Sequence, residues 1–128
     1  MPRSASSKRT PGESARPDDV LLDAEGAAEA FKVLGNAGRL RIFLTIAAHM
    51  PEDAEPDFYW THGDNERSCF ADMAAKLGLS QSAVSGHIKE LRRANLIQTR
   101  RDGGCLNCRT NSGTLRRLAA IVLGKEML

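Results

Sequence analysis

Aromatic residues make up only 5% of this 128-residue chain, and it has three cysteines and one tryptophan. Its longest apolar stretch, Ile42 to Met50, falls far short of the roughly 20 residues a membrane helix needs. The N-terminus carries basic and small residues but no apolar signal core, so the expected location is cytoplasmic with no membrane partner. An odd number of cysteines does not build a disulfide framework, which leaves thiol chemistry open. His49, His62 and His87 stand apart from any nucleophile–base arrangement, and no glycine loop that could cradle a phosphate precedes a helix. The chain is therefore not expected to be an enzyme.

Net charge is also small, at +2, but it is unevenly spread. Lys89, Arg92, Arg93, Arg100, Arg101, Arg109, Arg116 and Arg117 face only Glu90 and Asp102 within the same stretch, while acids gather in 18–29 and 52–66. A basic C-terminal half is the surface a polyanion requires. Hydrophobic residues at 41% and charged residues at 27% suit one globular domain, expected over 20–128. Residues 1–19, rich in Ser, Pro, Arg and Gly, are expected to be a disordered arm.

Apolar spacing predicts a helix from Val20 to Leu34 and, after Gly35-Asn36, a second from Ala37 to His49 with Leu40, Phe43, Leu44 and Ala47 on one face. The polar segment 51–66, with its Phe58-Tyr59-Trp60 cluster, is longer than most connections. The cluster is expected to pack that insertion onto the body; a small-ligand pocket and a contact with a partner are the alternatives. A short helix follows over Ser68–Leu77, then a capped helix from Ser80 to about Ala94 that Asn95 closes. Two strands, Leu96–Arg101 and Cys105–Thr110, flank Asp102-Gly103-Gly104, a tight-hairpin signal. A last helix starts at Asn111 or Ser112. The fold class is mainly α with a small β-hairpin, in the order ααααββα.

Residues 74–84 carry the sharpest pattern. Two helices that meet steeply need a small residue where they touch (Ala74), a left-handed turn residue four positions on (Gly78) and a branched plug six further (Val84). Val84, Ile88 and Leu91 point to the core; Ser82, Ser85, Gly86, Lys89 and Arg93 point outward. A recognition helix enters the major groove by its N-terminal part, where small polar residues allow close approach. Gln81 can pair bidentately with adenine, and Ser80, Ser82, Ser85 and Gly86 lie beside it. Lys89, Arg93, Arg39 and the hairpin residues Arg100 and Arg101 suit phosphates. Together these define a winged helix-turn-helix that binds double-stranded DNA.

The run from Asn36 to Ile42, then Leu77 to Leu91, Ala94-Asn95-Leu96-Ile97 and Arg100-Arg101-Asp102-Gly103, resembles the ArsR/SmtB family of bacterial metal-sensing repressors over about 27–123. The resemblance implies a homodimer joined by its first and last helices, through Leu21, Leu22, Leu115, Leu118, Val122 and Leu123. It also implies a palindromic operator and release from DNA when an effector binds. The family often has Pro and Thr where this chain has Ala37 and Gly38, and its Cys-x-Cys-Asp metal box falls on Cys69-Phe70-Ala71-Asp72, which keeps one cysteine only.

Cys69, Cys105 and Cys108 are the candidate thiols for a metal ion, a metalloid ion or an oxidant. Three residues apart in a regular strand point to opposite faces, so Cys105 and Cys108 share an ion only if the strand turns irregularly at Cys105; otherwise Leu106 and Cys108 lie inside, with Cys105 and Asn107 outside. His49, Asp57, His62, Asp64 and Glu66 form a second candidate metal set. The competing readings are a winged helix that answers to an organic ligand or protein through the 51–66 insertion, and one that binds protein without binding DNA.

Overall fold

The computed structural model describes residues 23–55, 58–60, 66–102 and 105–125, without the side chains of 66–69, 102 and 105. Residues 1–19 of the expected arm, Leu21 and Leu22 lie outside the described residues. Among the described residues are five helices and one antiparallel hairpin: α1 (Ala24–Leu34), α2 (Ala37–Ala48), α3 (Glu66–Leu77), α4 (Gln81–Arg93), β1 (Ile97–Asp102), β2 (Cys105–Thr110) and α5 (Ser112–Val122). This is the expected element order and a winged helix-turn-helix. No described helix is long and apolar enough to cross a membrane.

Side-chain caps set most boundaries. Asn36 Oδ1 accepts from Arg39 N at 2.9 Å, Ser80 Oγ from Ala83 N at 3.1 Å and Asn111 Oδ1 from Thr114 N at 3.3 Å. Each satisfies an amide that the first helical turn leaves without a partner. The first helix begins later than its apolar spacing suggests. Asp23 is extended, and its carboxylate accepts from Gly26 N at 2.7 Å, so the cap of this helix falls there.

The core joins Ala27, Ala30 and Val33 of α1, Ile42, Phe43 and Ile46 of α2, Met73 and Ala74 of α3, and Val84, Ile88 and Leu91 of α4 with Leu96, Ile97, Leu106, Cys108 and Leu118. Helix α2 turns only part of the expected face inward: Phe43 is buried and Ala47 packs against the core, while Leu40 is 36% and Leu44 53% exposed. Residues 42–44 and 46–48 are nearly all apolar, so periodicity alone does not choose the buried stripe there.

Strands β1 and β2 pair without a bulge from Ile97↔Thr110 to Asp102↔Cys105. The insertion contributes more than a loop. Trp60 bridges Cys108 across the other edge of β2, donating its N–H to the Cys108 carbonyl at 2.7 Å and accepting from Cys108 N at 2.8 Å. Alternate residues Leu106 and Cys108 are buried on one face of β2. Asn107, expected outside, is buried, as is Arg109.

Candidate nucleic-acid interface

The turn between α3 and α4 is built as its spacing requires. Gly78 has φ +68, a left-handed conformation that costs glycine little. Leu79 N donates to Ala74 O at 2.9 Å, closing the end of α3. Ala74 and Val84 are buried where the two helices meet. Helix α4 packs against α2 and α3, so its outward face is held by a rigid base.

That face carries Gln81, Ser82, Ser85, Gly86, Lys89 and Arg93, all exposed. A Cβ placed on Gly86 would meet nothing within 4 Å, so no neighbour in the chain requires this glycine. Its effect is to leave the surface flat at the middle of the exposed helix. Ser80 is occupied as the cap, with Ser82 Oγ at 3.5 Å. Arg93 meets Glu90 at 3.1 Å in an exposed pair. Such a pair is worth only about 0.3–0.5 kcal/mol, so it does not hold the guanidinium against a phosphate.

Arg39 is placed otherwise than expected. Its Nη1 donates to the Val33 carbonyl near the end of α1 at 3.1 Å, and its Nε donates to His87 Nδ1 on α4 at 3.4 Å. It is half-buried and ties three helices together. Gly38 makes room for this contact: a Cβ there would lie 3.3 Å from His87 Nε2.

Burial first, and the adjacent Arg39 charge second, hold the His87 pKa below its ordinary 6.5. The neutral ring is also the form that can accept from Arg39. An unfolded chain binds the His87 proton below pH 6.5, where the folded chain still resists it. The stability from this site is therefore complete above that pH and is lost as pH falls beneath it. We expect the urea midpoint to drop between about pH 7.5 and about pH 5.5, and His87→Gln to flatten that part of the profile. A His87→Gln profile parallel to that of the parent protein counts against the assignment.

The hairpin carries Arg100 and Arg101, both exposed. Arg100 Cζ lies 4.3 Å from the Tyr59 ring centroid and Arg109 Cζ 5.4 Å from it. Trp60 stacks on His49 with centroids 4.1 Å apart and planes 13° from parallel. The aromatic insertion is thus built onto the body, as expected. Sequence reasoning missed Tyr59, Trp60 and Arg109 as parts of the wing. The signal was three adjacent aromatic residues, which favour strands over loops.

Of the three thiols only that of Cys108 lies among the described side chains. Cys108 is buried, 2% exposed, and strand β2 runs regularly from Cys105 through Cys108 without the irregular turn a shared ion needs. The side chains of Cys105 and Cys69 lie outside the described residues. Of the second metal set, His49 is occupied by Trp60 and by the Thr45 carbonyl, 2.8 Å from its Nδ1. Asp57, His62, Asp64 and the side chain of Glu66 lie outside the described residues. Among the described residues no three His, Cys, Asp or Glu side chains gather to hold a metal.

Val122 is 67% and Leu123 69% exposed, and Phe31, Leu40 and Leu44 are exposed on α1 and α2. Leu118 is 5% exposed within its own core and Leu115 packs partly against that core, so neither belongs to a free stripe. The last helix divides its apolar residues between its own core and an open end.

A helix-turn-helix with an exposed polar recognition face and an arginine-bearing hairpin defines a winged-helix DNA-binding regulator. Residues 64–99 match the arsR family of bacterial regulatory proteins. The nodulation protein NolR of Rhizobium meliloti is 30% identical over 102 residues, covering 80% of this chain and 70% of NolR. The chain belongs to the arsR family of transcriptional regulators. The solved structure of NolR from Sinorhizobium fredii is 25% identical, with a TM-score of 0.52 over 84% of this chain and 99% of that one. A homodimeric winged helix-turn-helix DNA-binding domain from Mycobacterium bovis, a possible ArsR-family regulator, shares the fold. It is 20% identical, with a TM-score of 0.52 over 90% of this chain and 89% of that one.

Proposed function

We propose that this protein is a homodimeric repressor, acting in the cytoplasm, that binds a palindromic operator and releases it when an effector arrives. The observation that carries the reading is the outward face of α4, where Gln81, Ser82, Ser85 and Gly86 are exposed and Gly86 has open space before it. Small polar residues at the start of a helix fit the floor of a major groove. Two-fold symmetry of the protein matches two half-sites one helical turn apart. The homodimeric Mycobacterium bovis domain supports the dimer. Val122 and Leu123 supply apolar surface for it, with Phe31, Leu40 and Leu44 as further exposed apolar residues.

In this reading Gln81 reads a base, Ser82 and Ser85 bond bases or phosphates, and Lys89, Arg93, Arg100 and Arg101 hold phosphates. Ser80 serves as the helix cap and Arg39 as an internal tie. The effector is a metal or metalloid ion, or an oxidant, acting on a thiol. Cys105 beside the hairpin loop and Cys69 are its targets, since burial withdraws Cys108 from first contact. Effector binding favours a dimer whose recognition helices are wrongly spaced for successive grooves. By linkage, DNA weakens effector binding by the same factor. The packing of Tyr59 and Trp60 onto the wing and His49 disfavours the insertion as an organic-ligand site.

Gln81→Ala and Arg101→Ala separate reader from clamp. Gln81→Ala is expected to cost about 1–3 kcal/mol on the preferred operator and to relax the preference at one base position in each half-site. Arg101→Ala is expected to weaken all sequences alike and to lower the slope of log K against log salt by about 1 per wing. Competition binding over operator variants reads both. Equal losses with unchanged base preference in both variants would reject these roles.

A further inference from the structure

Aromatic side chains are scarce in this chain, yet three adjoin at 58–60, and the fold anchors the last two. Trp60 is fixed by its backbone to Cys108, at 2.7 and 2.8 Å, and by its ring to His49. The residue before it has little freedom to move. The Tyr59 ring is half-buried, and Arg100 places its guanidinium 4.3 Å from the centroid. The register pairs Arg100 with Asn107, two residues from Arg109, so all three share one face of the hairpin, where Arg109 also approaches Tyr59. Arg100 is exposed, while Arg109 is buried. A long side chain on an open strand loses several rotamers when it binds, and that loss opposes binding. A guanidinium held over an aromatic ring has lost part of that freedom beforehand.

We propose that Tyr59 is a positioning residue of the wing: its ring holds Arg100 ready to meet a backbone phosphate, which lowers the ordering cost of DNA binding. This deepens the reading of Arg100 as a phosphate clamp and rests on it. The π face carries the effect and the phenolic hydroxyl does not. Phosphate contacts position the protein without reading sequence, so the contribution is the same for operator and unrelated DNA.

Four variants test this by fluorescence anisotropy on the DNA upstream of the gene: Tyr59→Phe, Tyr59→Leu, Arg100→Ala and the Tyr59→Leu/Arg100→Ala double variant. Leu keeps apolar bulk but has no π face; Phe keeps the face. Tyr59→Phe is expected to bind as the parent does. Tyr59→Leu is expected to weaken binding about two- to fivefold per wing, on all sequences. In the Arg100→Ala background the same change is expected to have no further effect, which a general structural role for Tyr59 would not produce. The proposal is overturned if Tyr59→Leu binds as the parent does, or if its loss persists undiminished without Arg100. It also falls if Arg100→Ala binds as the parent does, since the clamp itself is then misassigned. A parent protein that binds no DNA overturns the functional reading as a whole, a result distinct from both.

Discussion

Replacing Val122 and Leu123 together by Asp is expected to convert the protein to a monomer and to weaken operator binding by about a hundredfold or more. Both side chains are more than two-thirds exposed at the end of α5, while Leu118 one turn earlier is buried in its own subunit. Charges at these positions cost the folded monomer little, because no described residue covers them. In a dimer they place four carboxylates at the apolar contact, where unpaired charge is strongly disfavoured. The loss in DNA binding follows from geometry. Two linked recognition helices engage one palindrome, so the second half-site binds at a high effective concentration that a monomer lacks. Sedimentation analysis reads the first effect and anisotropy the second. A variant that remains dimeric with unchanged affinity moves the interface away from α5, and the exposed Phe31, Leu40 and Leu44 become the next surface to test.

Leu91→Ala is expected to lower the free energy of unfolding by about 2–5 kcal/mol. Leu91 is fully buried at 0% exposure and joins α4 to the core, and its carbonyl also accepts from Leu96 N at 3.0 Å as the chain turns toward β1. Truncation removes apolar burial and leaves a cavity that the surrounding helices fill only in part. Since whole domains are stable by about 5–15 kcal/mol, the loss is a large share of the total. Ser85→Ala, on the exposed side of the same helix, is expected to change stability by no more than about 0.5 kcal/mol. Urea denaturation of both variants measures the contrast between the faces. A Leu91→Ala cost of less than about 1 kcal/mol would mean that α4 is not anchored as described.

The element order and the helix-turn-helix were legible in the sequence because local rules and global fold agree there. Asn36, Ser80 and Asn111 cap helices where their side chains suggest, and Ala74, Gly78 and Val84 play the parts their spacing assigns. The left-handed Asn95, φ 61, ends α4 as expected. The failures fall where local pattern underdetermines tertiary contact. Helix α2 is apolar on nearly every side, so its sequence did not show that Leu40 and Leu44 face outward. Arg39 looks like any surface arginine until His87 and the Val33 carbonyl are brought to it by packing from other helices. Strand pairing between Trp60 and Cys108 spans nearly fifty residues of sequence, and a single bridge leaves no alternation to read.

The most direct test is anisotropy of the upstream DNA with reduced protein, repeated as salt is raised and then with arsenite, zinc or a mild oxidant added. The account predicts binding tighter than to unrelated DNA, a log K that falls linearly with log salt, and release by a thiol-directed effector. Release that is lost in Cys105→Ser or Cys69→Ser would place the sensor. Equal affinity for unrelated DNA together with a flat salt dependence would contradict the account, because a recognition helix and wing that grip phosphates must release counterions.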